Sequence, residues 1–370
     1  MNPRALVSAA MRRERADRIP TMPQIWYDLP LRIHAQEDGN GDWIDGMARC
    51  AETPRLIYDQ LIRLARNTGC DGVRLFALPA PQRVTRTEDE LIVRDASGER
   101  IGRIDVMGGG AFIPDMQAPP VESLADAKTR LDAMARELTP GCEKIEALKE
   151  ARESVPDLFV ASAPGGITIN TYMTLRGSDQ AMADLIERPD FVAAVLTMQA
   201  ETMIRRAEAL VTAGIDALYI GDAAASASVI SPRHFEQYCL PAYRMFCAHF
   251  RRTGILIYIH VCGNSTPILE MLADTGVHTV EPLDPMGGVS VADARRRIGG
   301  RVALMGGVNT LTLAQGTPDD VQAEAIRVCR EGGSRGYILA AGDMVPPVTP
   351  RGNLQAMIDV ARKSQWREGE

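Results

Sequence analysis

The chain has 370 residues, 45% of them hydrophobic, which is enough for a large buried core in one or two domains. Its formal net charge is −7 without a basic run or a long apolar stretch, so we expect neither nucleic acid nor a membrane among its partners. Seven cysteines without paired spacing are typical of free thiols in a reducing cytoplasm rather than of a disulfide framework.

In chain order, the sequence begins with a predicted amphipathic helix over residues 1–19, in which a short apolar run followed by two arginines argues against a signal peptide. Eight short apolar segments have the pattern of strands, and they are predicted at 21–26, 71–76, 157–163, 216–220, 255–261, 278–280, 301–305 and 336–340. Helical spacing predicts helices at 53–68, 124–154, 178–187, 189–213, 232–253, 267–275, 291–298, 318–331 and 350–363. A polar-apolar segment near residues 83–115, with a turn at 95–98, is predicted to be an inserted β-hairpin.

Strands that alternate with helices imply right-handed crossovers and a parallel sheet. Eight such units predict an α/β fold, a single (β/α)8 TIM barrel with an N-terminal helical extension, over one domain of residues 1–370. The sequence has no Gly-x-Gly-x-x-Gly after its first strand and no P-loop, which argues against an open nucleotide-binding sheet.

The fifth predicted strand carries the sharpest chemical signal, His260-Val261-Cys262, followed by Gly263. Side chains alternate along a strand, so the imidazole and the thiol project to the same side, about 7 Å apart along the chain. Zinc is the usual ion for a site that mixes nitrogen and sulfur ligands. A buried structural histidine and cysteine would give the same short motif, so the positions of further ligands decide between the two interpretations.

Active sites of such barrels lie at the carboxyl ends of the strands. Several polar residues follow the later strands: Asp222 after the fourth, Glu281 after the sixth, Asn309 after the seventh and Asp343 after the eighth. The three carboxylates have alternative interpretations, Asp222 and Asp343 as caps and Glu281 as a solvated turn residue. Because they converge with His260 and Cys262 on one rim, we predict a metal site there.

Five segments resemble the uroporphyrinogen decarboxylase superfamily, and within it the zinc methyltransferases. They are 12–20, 221–241, His260-Val-Cys-Gly-Asn264, 304–309 and 337–350. The third is the specific one, since it is similar to the zinc-binding strand of methylcobamide:thiol methyltransferases. The resemblance implies a TIM barrel, a Zn²⁺ cofactor, and a separate corrinoid protein as the partner that carries methylcobalamin.

Two departures from the family pattern shape the expected function. The arginine-rich segment and the aspartate that decarboxylases carry after the first and second strands are replaced by Tyr27-Asp28 and Leu75-Phe76, which disfavours tetrapyrrole decarboxylation. The second cysteine usual in thiol-directed methyltransferases is replaced by Asp343, so the third protein ligand is an oxygen from Asp343 or Glu281, or both.

The sequence therefore predicts a cytoplasmic zinc-dependent methyltransferase that moves a methyl group between a small O-methyl or thiol substrate and a corrinoid cobalt. An O-methyl donor is slightly favoured because a hard carboxylate ligand makes zinc a better Lewis acid. Asp222 is the candidate catalytic residue, and Trp26, Tyr219 and Asn309 are candidate substrate contacts. The alternatives are a metal-free lyase that uses Asp222 and arginines, and a corrinoid- or porphyrin-carrying protein. The substrate, the direction of transfer and a possible homodimer stay open.

Overall fold

The structure is a computed structural model that describes residues 1–39, 41–87, 90–106 and 109–364. The strands are β1 (Gly72–Arg74), β2 (Arg83–Arg86), β3 (Leu91–Arg94), β4 (Arg100–Ile104), β5 (Phe112–Pro114), β6 (Phe159–Ser162), β7 (Ala217–Gly221), β8 (Leu256–His260), β9 (Thr279–Leu283), β10 (Ala303–Val308) and β11 (Tyr337–Ala341).

The helices are α1 (Pro3–Met11), α2 (Asp28–Glu37), α3 (Trp43–Glu52), α4 (Arg55–Thr68), α5 (Leu124–Arg136), α6 (Glu143–Glu153), α7 (Ile169–Arg176), α8 (Ser178–Glu187), α9 (Pro189–Thr212), α10 (Pro232–His234), α11 (Leu240–Phe250), α12 (Leu269–Ala273), α13 (Val291–Ile298), α14 (Thr310–Gln315), α15 (Pro318–Gly332) and α16 (Arg351–Lys363). Within the described ranges, none of these helices is long and apolar enough to cross a membrane.

A curled sheet of seven parallel strands forms the centre, with β1, β6, β7, β8, β9, β10 and β11 adjacent in sequence order. Alternate residues along its strands belong to two different core clusters. In β6, Phe159 packs in a smaller cluster together with Val7 and Met11 of α1, whereas Val160 packs in the larger cluster with the helices. Strands buried on both faces explain why their sequences are continuous apolar runs rather than alternating ones.

The predicted first strand, 21–26, is not a regular strand in the structure. The backbone N–H of Leu339 in β11 donates to the carbonyl of Pro20, Thr21 forms a single bridge with Leu339, and the carbonyl of Thr21 accepts from Asp71 N–H beside β1. Pro20 and Pro23 have no N–H to donate, which explains why the segment pairs only over a few residues. It nevertheless connects the two edge strands of the curled sheet.

Three other predicted elements also differ from the structure. The N-terminal extension is helical, but α1 ends at Met11 instead of residue 19. The predicted hairpin near residues 83–115 is a four-stranded antiparallel sheet, in which β2 pairs with β3, β3 with β4, and β4 with β5. The helix predicted over 124–154 is divided into α5 and α6, since Pro140 and the left-handed Gly141 interrupt it.

Most helix boundaries agree with the sequence signals. Gly69 ends α4 in the left-handed conformation, and Ser231 caps the first turn before the helical residues that follow it. Thr317 begins α15 with a reciprocal capping box with Asp320. All seven cysteines are free thiols in the structure, as predicted.

Candidate metal centre

His260 and Cys262 lie where β8 runs into a turn at the carboxyl end of the sheet. Every residue of β8 is buried, and Gly263, at a φ of 78°, turns the chain away. His260 is only 4% exposed, whereas Cys262 is half-buried and borders a cavity. Both side chains therefore approach a common point from the end of a rigid strand.

Asp343 completes a group of three possible ligands. It follows β11, and its Oδ1 lies 3.3 Å from Nε2 of His260 and accepts a 2.7 Å hydrogen bond from Met344 N–H. The ligand atoms of His260, Cys262 and Asp343 all lie within 4.8 Å of one another, and no other such group occurs within the described part of the chain. One nitrogen, one sulfur and one oxygen donor fit the ligand chemistry of a catalytic zinc ion, which takes three protein ligands.

Glu281 lies on the other side of the imidazole. Register pairing between β8 and β9 sets Glu281 beside His260, and its Oε2 is 3.3 Å from Nδ1. Its Oε1 forms an ion pair with Nη2 of Arg74, and Nε of Arg74 donates a 2.8 Å hydrogen bond to the hydroxyl of Tyr258. Glu281 is thus adjacent to His260 but faces the nitrogen opposite to the one that faces Asp343.

The pKa values of His260, Glu281 and Asp343 are shifted more by charge pairing as a whole than by burial. Burial alone would keep His260 neutral, but Tyr219, Glu281 and the hydrogen bond with Asp343 raise its pKa well above the usual value. Burial also opposes ionisation of Glu281, yet Arg74 and His260 lower its pKa. For Asp343, burial is again the largest effect and is overcome by His260, so the pKa of this carboxyl is lowered. Both carboxylates are therefore ionised at neutral pH.

The carboxylate of Asp222 is fully occupied by protein donors. Its Oδ2 accepts hydrogen bonds from Ile167 N–H at 3.0 Å, Thr168 N–H at 2.6 Å and the Thr168 hydroxyl at 2.9 Å, and its Oδ1 accepts from Asn170 N–H at 3.0 Å. Burial raises the pKa of Asp222. Its own N–H donates to the carbonyl of His260. These contacts anchor the start of α7, and the catalytic role predicted for Asp222 stays a prediction.

An aromatic row leads to His260. The ring of Trp26 is 5.3 Å from that of Phe76, Phe76 is 5.6 Å from Tyr219, and Tyr219 is 5.7 Å from the imidazole. The amide of Gln24 donates a long 3.4 Å hydrogen bond to the Tyr219 hydroxyl. Two of the residues predicted to contact substrate, Trp26 and Tyr219, therefore lie on one path to the group of possible ligands.

Two cavities border His260 and Cys262, one at each residue. The first, here called the aromatic cavity, has a volume of about 430 Å³ and is lined by residues that include Trp26, Phe76, Arg206, Tyr219, Gly221 and His260. The second, here called the outer cavity, has a volume of about 850 Å³ and is lined by residues that include Asn170, Met173, Ser226, Ser228, Val229 and Cys262. Asn170 and Ala223 border both, so the two cavities adjoin at these two residues.

Asn309 follows β10, and its predicted contact with the substrate stays a prediction. Its side chain accepts a 2.8 Å hydrogen bond from Leu311 N–H and caps α14, and it is not part of either lining. Two residues that sequence reasoning missed, Arg74 and Phe76, belong to β1 and the segment after it. The signal for Arg74 was available, because an arginine within an apolar strand requires a buried partner.

The chain is an α/β protein with a curled parallel sheet, and polar side chains gather at the carboxyl ends of its strands. The family model described as "Uroporphyrinogen decarboxylase (URO-D)" matches residues 92–364. The chain belongs to the uroporphyrinogen decarboxylase family, and the resemblance found in its sequence is confirmed.

Named relatives fall into two groups. A methylcobamide:CoM methyltransferase, MtaA, from Methanosarcina barkeri is 31% identical over 265 residues, covering 70% of this chain and 75% of the relative. A uroporphyrinogen decarboxylase from Xylella fastidiosa is 26% identical, covering 97% of this chain and 98% of the relative. A solved methyltransferase from Methanosarcina mazei has the same fold, with a TM-score of 0.72 at 22% identity over 98% of this chain and 99% of that one.

Proposed function

We propose that this protein is a zinc-dependent methyltransferase that moves a methyl group between a small methylated substrate and the cobalt of a corrinoid protein. The observation that carries the proposal is the convergence of His260, Cys262 and Asp343 at the carboxyl end of the sheet. Similarity to a methylcobamide:CoM methyltransferase supports methyl transfer as the reaction class.

In this proposal Nε2 of His260, Sγ of Cys262 and a carboxylate oxygen of Asp343 hold the ion, and Glu281 supports the imidazole from behind. A bound zinc ion would act as a Lewis acid on the substrate heteroatom, or would keep a substrate thiol ionised at neutral pH. One thiolate and one carboxylate balance the two positive charges of the ion. The protein therefore supplies a neutral site with a position left for the substrate.

The aromatic cavity would hold the apolar part of the substrate. Trp26, Phe76 and Tyr219 present ring faces and edges that exclude water and restrict the substrate's orientation beside His260. The outer cavity, on the Cys262 side, is about twice as large and would admit the corrinoid of the partner protein. This arrangement would place the methyl carbon between the two reactants.

The transfer itself requires an in-line exchange at the methyl carbon. For a methyl ether, the bond between carbon and oxygen breaks, its electron pair stays on oxygen, and reduced corrinoid cobalt supplies the pair of the new cobalt–carbon bond. For a thiol acceptor, the thiolate sulfur supplies the pair and cobalt keeps the pair of the broken bond. We favour the ether, because Asp343 gives the site a hard oxygen ligand.

The rival lyase function would need an accessible acid or base. Asp222, the residue that this alternative relied on, accepts hydrogen bonds from the protein at both oxygens and is completely buried. We therefore retain the methyltransferase. We further propose that residues 20–24 complete an eight-stranded (β/α)8 barrel and that the protein acts in the cytoplasm.

The test is methyl transfer by the zinc-loaded protein with free reduced cobalamin and a panel of O-methyl and S-methyl compounds. We expect methylcobalamin to form with at least one O-methyl compound and to be abolished in Cys262→Ser. Cys142→Ser is the matched control, because Cys142 is also half-buried but lies outside the ligand group. Release of CO2 from a tetrapyrrole carboxylate, unaffected by Cys262→Ser and without methyl transfer, would establish the lyase instead.

A further inference from the structure

We propose that Arg74 is a positioning residue of the metal centre, which acts through Glu281 to orient His260. The inference rests on the proposed zinc site. It extends that site by a chain of three side chains in which Arg74 holds one oxygen of Glu281 and the other oxygen faces the imidazole. A side chain on β1 would thereby control a ligand on β8.

Burial is the first argument. The side chains of Arg74 and Glu281 are each 1% exposed. Removing two charges from water costs more than a single contact returns unless further hydrogen bonds hold both groups. Arg74 has such a second contact, the hydrogen bond from Nε to the Tyr258 hydroxyl. A buried ion pair inside an apolar sheet, in which Glu281 lies beside the metal-ligand candidate His260, indicates a role in the site.

The direction of the contacts is the second argument. Glu281 faces Nδ1 of His260, whereas Asp343 faces Nε2, each at 3.3 Å. Histidines that bind metals almost always donate their other ring N–H to a carboxylate, a carbonyl or water, which fixes the tautomer and the ring orientation. Nδ1 of His260 and Oε2 of Glu281 are both buried without a hydrogen-bond partner and lie 3.3 Å apart, so each is available to the other.

Aromatic packing is the third argument. The ring of Tyr219 lies 5.0 Å from the guanidinium carbon of Arg74 and 5.7 Å from the imidazole. Tyr258 packs against Tyr219 at 5.2 Å and bonds Arg74. Tyr219 and Tyr258 thus pack against Arg74, and the side chains of Arg74 and Glu281 are each only 1% exposed. The orientation of Glu281 therefore depends on its arginine partner rather than on solvent.

Arginine has a specific advantage at this position. Its rigid fork reaches Glu281 through Nη2 and Tyr258 through Nε at once, which a lysine ammonium cannot reproduce with the same geometry. Without the guanidinium, Glu281 would be a buried carboxylate without its cation, and it would no longer be held in line with Nδ1. His260 would then present Nε2 to the ion less precisely.

The experiment measures zinc affinity by competition with a chromogenic chelator in the full chain. We expect Arg74→Met and Glu281→Gln each to weaken zinc binding by about 10- to 100-fold, the range found when such supporting partners are removed. Because Arg74 acts through Glu281, the double variant should lose no more than the larger single loss. Arg74→Lys should recover part of the affinity, and cobalt-substituted Arg74→Met should show a shifted visible spectrum.

Wild-type zinc affinity in a folded Arg74→Met protein, even one with a lower Tm, would overturn the inference. Losses that multiply in the double variant would also overturn it, because Arg74 would then act independently of Glu281. If Arg74→Met does not fold, Tyr258→Phe takes its place, since it removes only the hydroxyl that holds Nε. We expect a several-fold loss of zinc affinity in Tyr258→Phe, and an unchanged affinity would refute the role of Arg74.

Failure of this inference is distinguishable from failure of the proposed function. A wild-type protein that binds no zinc contradicts the proposed function. A wild-type protein that binds zinc, with Arg74 variants of equal affinity, contradicts only the role of Arg74.

Discussion

The substitution Asp343→Asn should weaken zinc binding while the metal-free protein stays folded. The amide oxygen can still accept the hydrogen bond from Met344 N–H. Because the Asp343 side chain is 38% exposed, solvent screens its ion pair with His260, so we expect loss of that pair to lower the free energy of unfolding without metal by no more than about 1 kcal/mol. The substitution removes one of the two negative charges of the ligand group. Removal of supporting partners of metal ligands costs 10- to 100-fold in affinity, so loss of a direct ligand should cost at least about 100-fold.

A 100-fold loss corresponds to about 2.7 kcal/mol of binding free energy. The assay is chelator competition for zinc affinity together with thermal unfolding of the metal-free protein. Asp319→Asn is the matched control, because it neutralises an exposed carboxylate in the first turn of α15 and lies outside the ligand group. Zinc affinity of Asp343→Asn within about threefold of the wild type would refute Asp343 as a ligand.

Three further predictions test the account. Iodoacetamide should alkylate both half-buried thiols, Cys262 and Cys142, in metal-free protein, and zinc should protect only Cys262; equal protection of both, seen by mass spectrometry, would contradict the site. Asp222→Ala should lower the free energy of unfolding by about 3–5 kcal/mol in chemical denaturation, because it leaves buried donors unpaired, and unchanged stability with lost activity would instead make Asp222 catalytic. The free energy of unfolding should fall as the pH drops below about 6.5, because burial lowers the pKa of His278 and the unfolded chain then binds a proton that the folded chain does not. Nδ1 of His278 accepts a hydrogen bond from Ile257 N–H, which requires the neutral ring. His278→Gln should remove this part of the pH dependence.

The sheet could be predicted from the sequence because its strands are short apolar runs with clear boundaries. Parallel strands also align their carboxyl ends, and so the approach of Asp343 to His260 followed from strand order alone. The predicted first strand was wrong in its extent, since Pro20 and Pro23 prevent regular pairing. Closure of that part of the sheet depends on contacts with Leu339, more than 300 residues away in sequence.

Roles within the site were harder to predict than positions. Asp222 follows its strand as an active-site carboxylate would, and in the structure it accepts hydrogen bonds from backbone N–H groups at the start of α7. The sequence of α7 mixes β-branched, aromatic and polar residues and gives little helical signal. Asn309 likewise caps the short helix α14. A side chain at a strand end can serve the next helix or the substrate, and only the three-dimensional course of the following segment decides between them.

The contact between Arg74 and Glu281 could not be inferred from spacing. The two residues are 207 positions apart and lie on strands that are not adjacent in the sheet, so their side chains meet only across the interior of the curled sheet. The sequence left open which of Glu281 and Asp343 ligates the metal. The geometry favours Asp343 in our proposal, because Asp343 groups with His260 and Cys262 and faces Nε2, whereas Glu281 faces Nδ1 and is paired with Arg74.

The most direct test of the central claim is X-ray absorption spectroscopy of the zinc-loaded protein. We predict one zinc ion per chain, with one sulfur ligand at about 2.3 Å and the remaining nitrogen and oxygen ligands at about 2.0–2.2 Å. His260→Ala and Cys262→Ala should each lose the ion. A first shell without sulfur or with two sulfurs, or a wild-type protein that retains no zinc, would contradict the ligand set of His260, Cys262 and Asp343.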